Sequence, residues 1–273
     1  GASATLAHRR GAVWVTHAVA SAEAYEGSPG VDTVFGSDAP ETIIGGGGDD
    51  ELHAGAGDDL VLGGTGEDLM TGGLGIDRLE GGPGAFDAAG AGSGQASLVD
   101  LGAGLISSGG EVDSLTGVEG AIGTVGADTL VGTPRTNTFY ASPGNDTITG
   151  GGGIDVLTFE RLRAGVRIDA SAGSATSGAS RTTARGIEGW VGSPFADTFL
   201  GTAGIDVFDG MGGADVADGF AESDVLTGGP GRDVLRGGSG ADELDGDAGR
   251  DTLTGGVGRD RCRQDPTSRV TDC

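Results

Sequence analysis

A nine-residue period governs this chain. The stretch "GGPGRDVLRGGSGADELDGDAGRDTLTGG" (228–256) writes nearly the same nonapeptide three times, with glycine at places one and four, aspartate at place six and leucine at place eight. The register runs through 27–80, 123–158 and 192–263 and gives eighteen copies. Place six is Asp in sixteen of them, Glu41 and Asn137 being the exceptions. Place eight holds an apolar residue or, at its last occurrence, Cys262. A fixed period of this kind marks a solenoid, in which each unit buries its apolar face only by stacking on its neighbours.

The glycines let the backbone turn with positive φ and approach another atom closely. The residues after each aspartate read as a very short strand with the place-eight side chain inward. One nonapeptide is then turn plus strand, and two make a flattened coil of 18 residues, stacked at the interstrand spacing of about 4.8 Å. Turns on one edge come from alternate copies. Asp197, Asp215, Asp233 and Asp251 line one edge of the last block, and Asp206, Asp224, Asp242 and Asp260 the other. Asp32, Asp50, Asp59, Asp68 and Asp77 line the first block, and Asp128, Asp146 and Asp155 the second.

Carboxylates a few ångströms apart repel by about 1 kcal/mol per pair even in water. A hard cation between stacked turns reverses the sign. The whole chain invites one: 41 acidic against 16 basic residues leave a net charge of −25, which repels nucleic acid and anionic membranes. Calcium takes 6–8 oxygens from carboxylates and carbonyls, whereas magnesium prefers a rigid octahedron and keeps its waters. A Cys/His cluster for zinc is missing from the sequence. Same-edge gaps number twelve in this register, so about a dozen Ca²⁺ would nearly neutralise the chain. The gaps beside Glu41 and beside Asn137, whose copy carries Arg135 at place four, are expected to be weak. With 60 glycines and ten Phe or Trp, the same composition without a period would read as disorder.

"GGGGDDELH" (45–53) and "GGSGADELD" (237–245) match in full the G-G-x-G-x-D-x-U-x pattern of the RTX calcium-binding repeat. Over most of 27–263 the chain resembles that family. The resemblance implies an all-β fold, a right-handed parallel β-roll or β-helix solenoid. It also implies calcium held between turns by the place-six aspartates and by main-chain carbonyls of glycines such as Gly45, Gly48, Gly63, Gly66, Gly72, Gly75, Gly228, Gly231, Gly237 and Gly240.

A longer repeat overlies the short one: 54–122 aligns with 123–191 at an offset of 69. Its spacers, "LVDLGAGLISSG" (98–109) and "RIDASAGSATSG" (167–178), alternate apolar and polar residues and read as strands in irregular coils, 81–122 and 159–191. Residues 1–26, with "AVWVTHAVA" (12–20), read as a cap strand. Residues 264–273 read as a tail tied by a Cys262–Cys273 disulfide, the alternative being two free thiols. A disulfide means an oxidising compartment and fits general secretion. No apolar run approaches the roughly 18 residues of a membrane span.

Catalysis has little to stand on. His53 takes place nine and reads as a solvated strand residue, His8 and His17 fall in the cap, and Trp14 and Trp190 read as covers of solenoid ends or joints. Neither a Gly-x-Ser-x-Gly elbow nor an HExxH helix occurs. The sequence therefore points to a secreted calcium-binding protein that is not an enzyme. An extracellular adhesion or glycan-recognition module is the alternative. Paired threonines at places seven and nine occur only at Thr147/Thr149 and Thr252/Thr254, too few for an ice-binding ladder.

Overall fold

The computed structural model describes residues 7–9, 12–16, 24–84, 86–92, 94–263, 266 and 268–273, with the backbone alone at 7–9 and 12–16. Every regular element among them is a strand. The chain divides into two compact units, 1–139 and 140–273. Each is a parallel β-solenoid with an 18-residue coil.

In the first unit, Asp32–Phe35, Glu51–Ala56 and Leu69–Leu74 pair in parallel, with Val34, Leu52 and Met70 side by side. The opposite face comes from the intervening copies: Thr42–Gly47, Leu60–Thr65 and Arg78–Glu80 bring Ile43, Val61 and Leu79 into line. These six side chains are at most 2% exposed. Full burial of each stabilises by about 1.5–3 kcal/mol, so the core is two facing rows of one residue per half coil.

The second unit repeats the arrangement. Thr198–Leu200, Val216–Ala221, Val234–Gly240 and Thr252–Gly258 align Phe199, Ala217, Leu235 and Leu253. The other face aligns Trp190, Phe208, Leu226, Leu244 and Cys262. Phe199 stacks on Phe208 with ring centroids 4.6 Å apart. Trp190 is an inward rung of this row, 4% exposed, and not a cover over an end.

The spacers are strands, as their alternation predicts, but their direction differs from that of coils. Ser97–Asp100, Leu105–Ser108 and Glu111–Thr116 form an antiparallel meander. Its outer strands rejoin the parallel ladder, Leu115 beside Leu79 and Val99 beside Leu130. In the second unit Arg167–Asp169, Ser174–Ser177 and Ser180–Arg185 do the same. Gly104 (φ 68°) and Gly173 (φ 57°) make the first reversals, where only glycine enters the left-handed region without strain. The 69-residue repeat is thus a duplicated meander.

Ala7–Arg9 and Ala12–Thr16 form an antiparallel hairpin whose second strand lies parallel to Asp32–Phe35. His17 lies outside the described residues. At the other end Arg269–Thr271 pairs with Thr252–Gly258, so the segment read as a tied tail adds a strand. Cys262 and Cys273 are joined by a disulfide, with Cα atoms 5.9 Å apart.

Candidate metal centre

Place six builds a ladder of directed hydrogen bonds. Along most of the first and third blocks the N–H of a place-six residue donates to Oδ1 of the place-six aspartate one coil further on. In the first unit Asp32 donates to Asp50 (2.8 Å), Asp50 to Asp68 (2.9 Å), Glu41 to Asp59 (2.7 Å) and Asp59 to Asp77 (2.9 Å). In the second, Asp197 donates to Asp215 (2.7 Å), Asp215 to Asp233 (2.8 Å) and Asp233 to Asp251 (3.0 Å). On the other edge Asp206 donates to Asp224, Asp224 to Asp242 and Asp242 to Asp260 (2.9, 2.9 and 3.1 Å). Asp128 accepts from the N–H of Ser97 at 2.7 Å. Asp146 donates its N–H to the Arg181 carbonyl and Asp155 to Glu188 Oε2.

Two members of the ladder lie outside the eighteen copies. Asp68 donates to Asp87, 19 residues on, and Asp77 to Asp113, 36 residues on. Asp87 follows a one-residue insertion after Gly81. Asp113 lies in the third strand of the meander, and its signal is "DSLTG" (113–117), an aspartate two before an apolar residue and four before glycine.

The second carboxylate oxygen divides the turns. Oδ2 of Asp50, Asp59, Asp68, Asp77, Asp87, Asp215, Asp224, Asp233 and Asp242 is buried without a hydrogen-bond partner, in residues at most 3% exposed. Such an atom costs about 1–3 kcal/mol, and more when charged. Burial, reinforced by neighbouring carboxylates, pushes Asp50, Asp59 and Asp87 up to about 6 and Asp77, Asp215 and Asp224 up to about 7. The N–H donors of the ladder pull the other way and lose. Asp32, Asp128, Asp197 and Asp206 differ: their second oxygen accepts the N–H of Ser28, Thr124, Ser193 or Thr202, each at 2.6 Å. Oδ2 of Asp251 accepts the Ser268 hydroxyl at 3.0 Å.

The glycines explain where the unpartnered oxygens aim. A Cβ built on Gly45 would lie 2.4 Å from Asp50 Oδ2 and 2.5 Å from the carbonyl oxygen of Gly63, the matching glycine one coil on. Gly63 repeats this with Asp68 and Gly81, Gly210 with Asp215 and Gly228, and Gly219 with Asp224 and Gly237. At Gly72, Gly228 and Gly237 the nearest atom is Oδ2 of Asp77, Asp233 or Asp242. Place one therefore keeps open a spot shared by a carboxylate and a carbonyl. Place four is glycine because coils touch there: a Cβ at Gly66 would lie 2.2 Å from the Gly48 carbonyl, at Gly75 2.0 Å from Gly57, at Gly231 1.7 Å from Gly213, and at Gly240 1.8 Å from Glu222.

Among the described residues no three acidic, histidine or cysteine side chains converge on one point. A cation in these turns would be held by one or two carboxylates and by main-chain carbonyls, an all-oxygen set that fits calcium. The orphaned oxygens and the cradles that a Cβ would fill both agree with that fit.

His53 is not a freely solvated residue: Nδ1 lies 2.8 Å from Thr71 Oγ1 and its ring stacks on Phe35 at 4.9 Å. Of His8 and Trp14 only the backbone is described.

The family model of the RTX calcium-binding nonapeptide repeat matches residues 26–61, 35–70, 62–85, 122–157, 191–226, 218–253 and 227–262, together more than half of the chain. A comparison with curated proteins finds no match. The stacked nonapeptide turns and the family match agree: the chain belongs to the RTX calcium-binding repeat family, whose repeats bind calcium in a parallel β-solenoid.

Proposed function

We propose that this chain is a secreted protein whose activity is calcium binding coupled to folding. The observation that carries the reading is the row of buried Oδ2 atoms without partners, all but that of Asp59 beside a place-one glycine and most beside a carbonyl of the next coil. Asp50, Asp59, Asp68, Asp77, Asp215, Asp224, Asp233 and Asp242, with Asp87 and Asp113, supply the charge, and the place-one and place-four glycines supply carbonyls. The same-edge gaps set the expected load at about a dozen ions at most. Calcium supplies the positive charge that these oxygens lack. The chain's own part is to hold Oδ1 on an N–H, which fixes each carboxylate and turns Oδ2 toward the cradle.

Binding energy then becomes folding energy, because the unfolded chain has no preformed site. The disulfide supports an oxidising compartment, and RTX repeats are typical of secreted proteins. Repeats of this family are typically structural and calcium-binding elements. No observation among the described residues favours glycan recognition.

Far-UV circular dichroism in EDTA and in millimolar CaCl₂ tests the reading. A disordered spectrum that becomes β-rich at about 10⁻⁴–10⁻³ M calcium is expected. Identical β-rich spectra, or an equal response to magnesium, refute it.

A further inference from the structure

We propose that closure of the turn by its place-two residue decides whether the turn takes calcium, so that a Ser or Thr whose N–H holds the place-six side chain and whose hydroxyl holds the place-four N–H makes a metal-free turn; this rests on the calcium reading above. Six turns share one network. The N–H of Ser28, Ser37, Thr124, Thr133, Ser193 and Thr202 donates to the place-six side chain at 2.6–2.9 Å. The hydroxyl of the same residue accepts the N–H of place four, from Gly30, Ala39, Gly126, Arg135, Phe195 and Gly204, at 2.9–3.2 Å. The turn closes on itself, and the oxygen that calcium would need is already held.

Nine other turns carry a left-handed residue at place two. Gly46, Gly55, Gly64, Gly73, Gly82, Met211, Phe220, Gly229 and Gly238 have φ between 67° and 120°. These nine precede, in order, Asp50, Asp59, Asp68, Asp77, Asp87, Asp215, Asp224, Asp233 and Asp242, whose Oδ2 has no hydrogen-bond partner. Positive φ carries the place-two N–H away from its own carboxylate. Gly64 donates to the Gly81 carbonyl and Gly73 to that of Ala91, both at 2.8 Å. Glycine itself is not required, since Met211 (φ 67°) and Phe220 (φ 73°) adopt the same turn against the ordinary preference of an L-residue.

The chain contains its own control. Asn137 stands at place six of a closed turn, where Oδ1 accepts the Thr133 N–H and Nδ2 donates to the Glu119 carbonyl at 2.9 Å. A neutral amide does what a carboxylate does there, so that position needs no cation. The closed turns also have a common location: they are the first two copies of each block, 27 and 36, 123 and 132, 192 and 201. One closed turn on each edge thus starts every block without metal and gives the first calcium turn a finished neighbour.

The test is calcium content per chain, measured by elemental analysis after gel filtration in CaCl₂, for the parent and three variants. Asp215→Asn should bind about one ion fewer. Asp206→Asn should keep the parent's content, and Asn137→Asp should gain none, because added charge in a closed turn finds its oxygens already occupied. Circular dichroism in saturating calcium checks that each variant folds, and Asn137→Asp carries the test if Asp206→Asn does not. Equal losses in Asp206→Asn and Asp215→Asn, or a gain in Asn137→Asp, overturn the inference while leaving the calcium reading standing. A parent that binds no calcium overturns both.

Discussion

Asp233 offers a way to separate the two jobs of a place-six carboxylate. It is fully buried; its Oδ1 holds the N–H of Asp215 at 2.8 Å and its Oδ2 has no partner. Asp233→Asn keeps a carbonyl oxygen for the Asp215 N–H and removes the charge. Asp233→Ala removes both. The lost charged ligand is worth about 1.5–3 kcal/mol if it behaves like other charge-assisted contacts, which is about ten- to hundredfold in affinity at that site. From a starting range of about 10⁻⁴–10⁻³ M, the site would no longer fill in millimolar calcium. Ala adds a buried N–H without an acceptor, a further 1–3 kcal/mol or so. In calcium titrations followed by circular dichroism, the midpoints should rank parent, Asn, Ala, and the transition should broaden because stacked repeats pass stability to nearest neighbours. Asn137→Ala should move the midpoint less than either. An Asn variant with the parent's midpoint would mean that Oδ2 is not a ligand, and equal Asn and Ala midpoints would mean that the ladder N–H does not depend on Oδ1.

Acid should act on the two forms in opposite directions. Asp50, Asp59 and Asp87 are raised to about 6 and Asp77, Asp215 and Asp224 to about 7, so the protonated form is favoured in the fold; stability without metal is full below the ordinary carboxylate range and lost as pH rises through 6–7. In EDTA the β-signal should therefore be stronger near pH 5 than near pH 8, whereas half-saturation by calcium should need more calcium at the lower pH; a pH-independent EDTA spectrum refutes the argument. Reducing the Cys262–Cys273 bond, which spans 11 residues, should cost about 3 kcal/mol in the chain-entropy picture. The loss should fall on Arg269–Thr271, read as faster amide exchange there with the earlier coils unchanged, and two alkylatable thiols in the unreduced protein would refute the bond.

The coil was legible because its cause is local: glycine where a turn or a close approach needs it, an apolar residue at every ninth position, and a period that cannot be satisfied except by stacking. The ladder partners 18 residues apart follow from that register alone. Asp87 was not legible because a one-residue insertion breaks the count, and Asp113, in phase 36 residues after Asp77, because its copy (108–116) carries Ser108 and Glu111 where glycine stands elsewhere. The meanders were half legible. Alternation in "LVDLGAGLISSG" marked the strands, but their antiparallel return depends on Gly104 and Gly109, which look like the turn glycines of any other copy. Trp190 is in phase although its segment lacks the glycine pattern: counted back from Gly192 it takes place eight of 183–191, and it stacks between Leu157 and Phe208 as such a side chain does. The Ser/Thr residues at place two were visible throughout, but their meaning depends on the direction of one N–H, which no residue pattern displays.

The place-six ladder has a polarity: each amide reaches forward and each carboxylate reaches back. A stack of this kind is not bounded by its own geometry, since the last amide of one molecule matches the first carboxylate of another, and a head-to-tail contact that never closes on itself builds filaments. On the edge that runs through Asp197, Asp215 and Asp233 the series ends at Asp251. Its N–H donates to the Ser268 hydroxyl at 2.9 Å, and that hydroxyl returns its own proton to Asp251 Oδ2. A neutral, two-way partner replaces the next aspartate, so a second copy arriving at this edge meets an amide already taken.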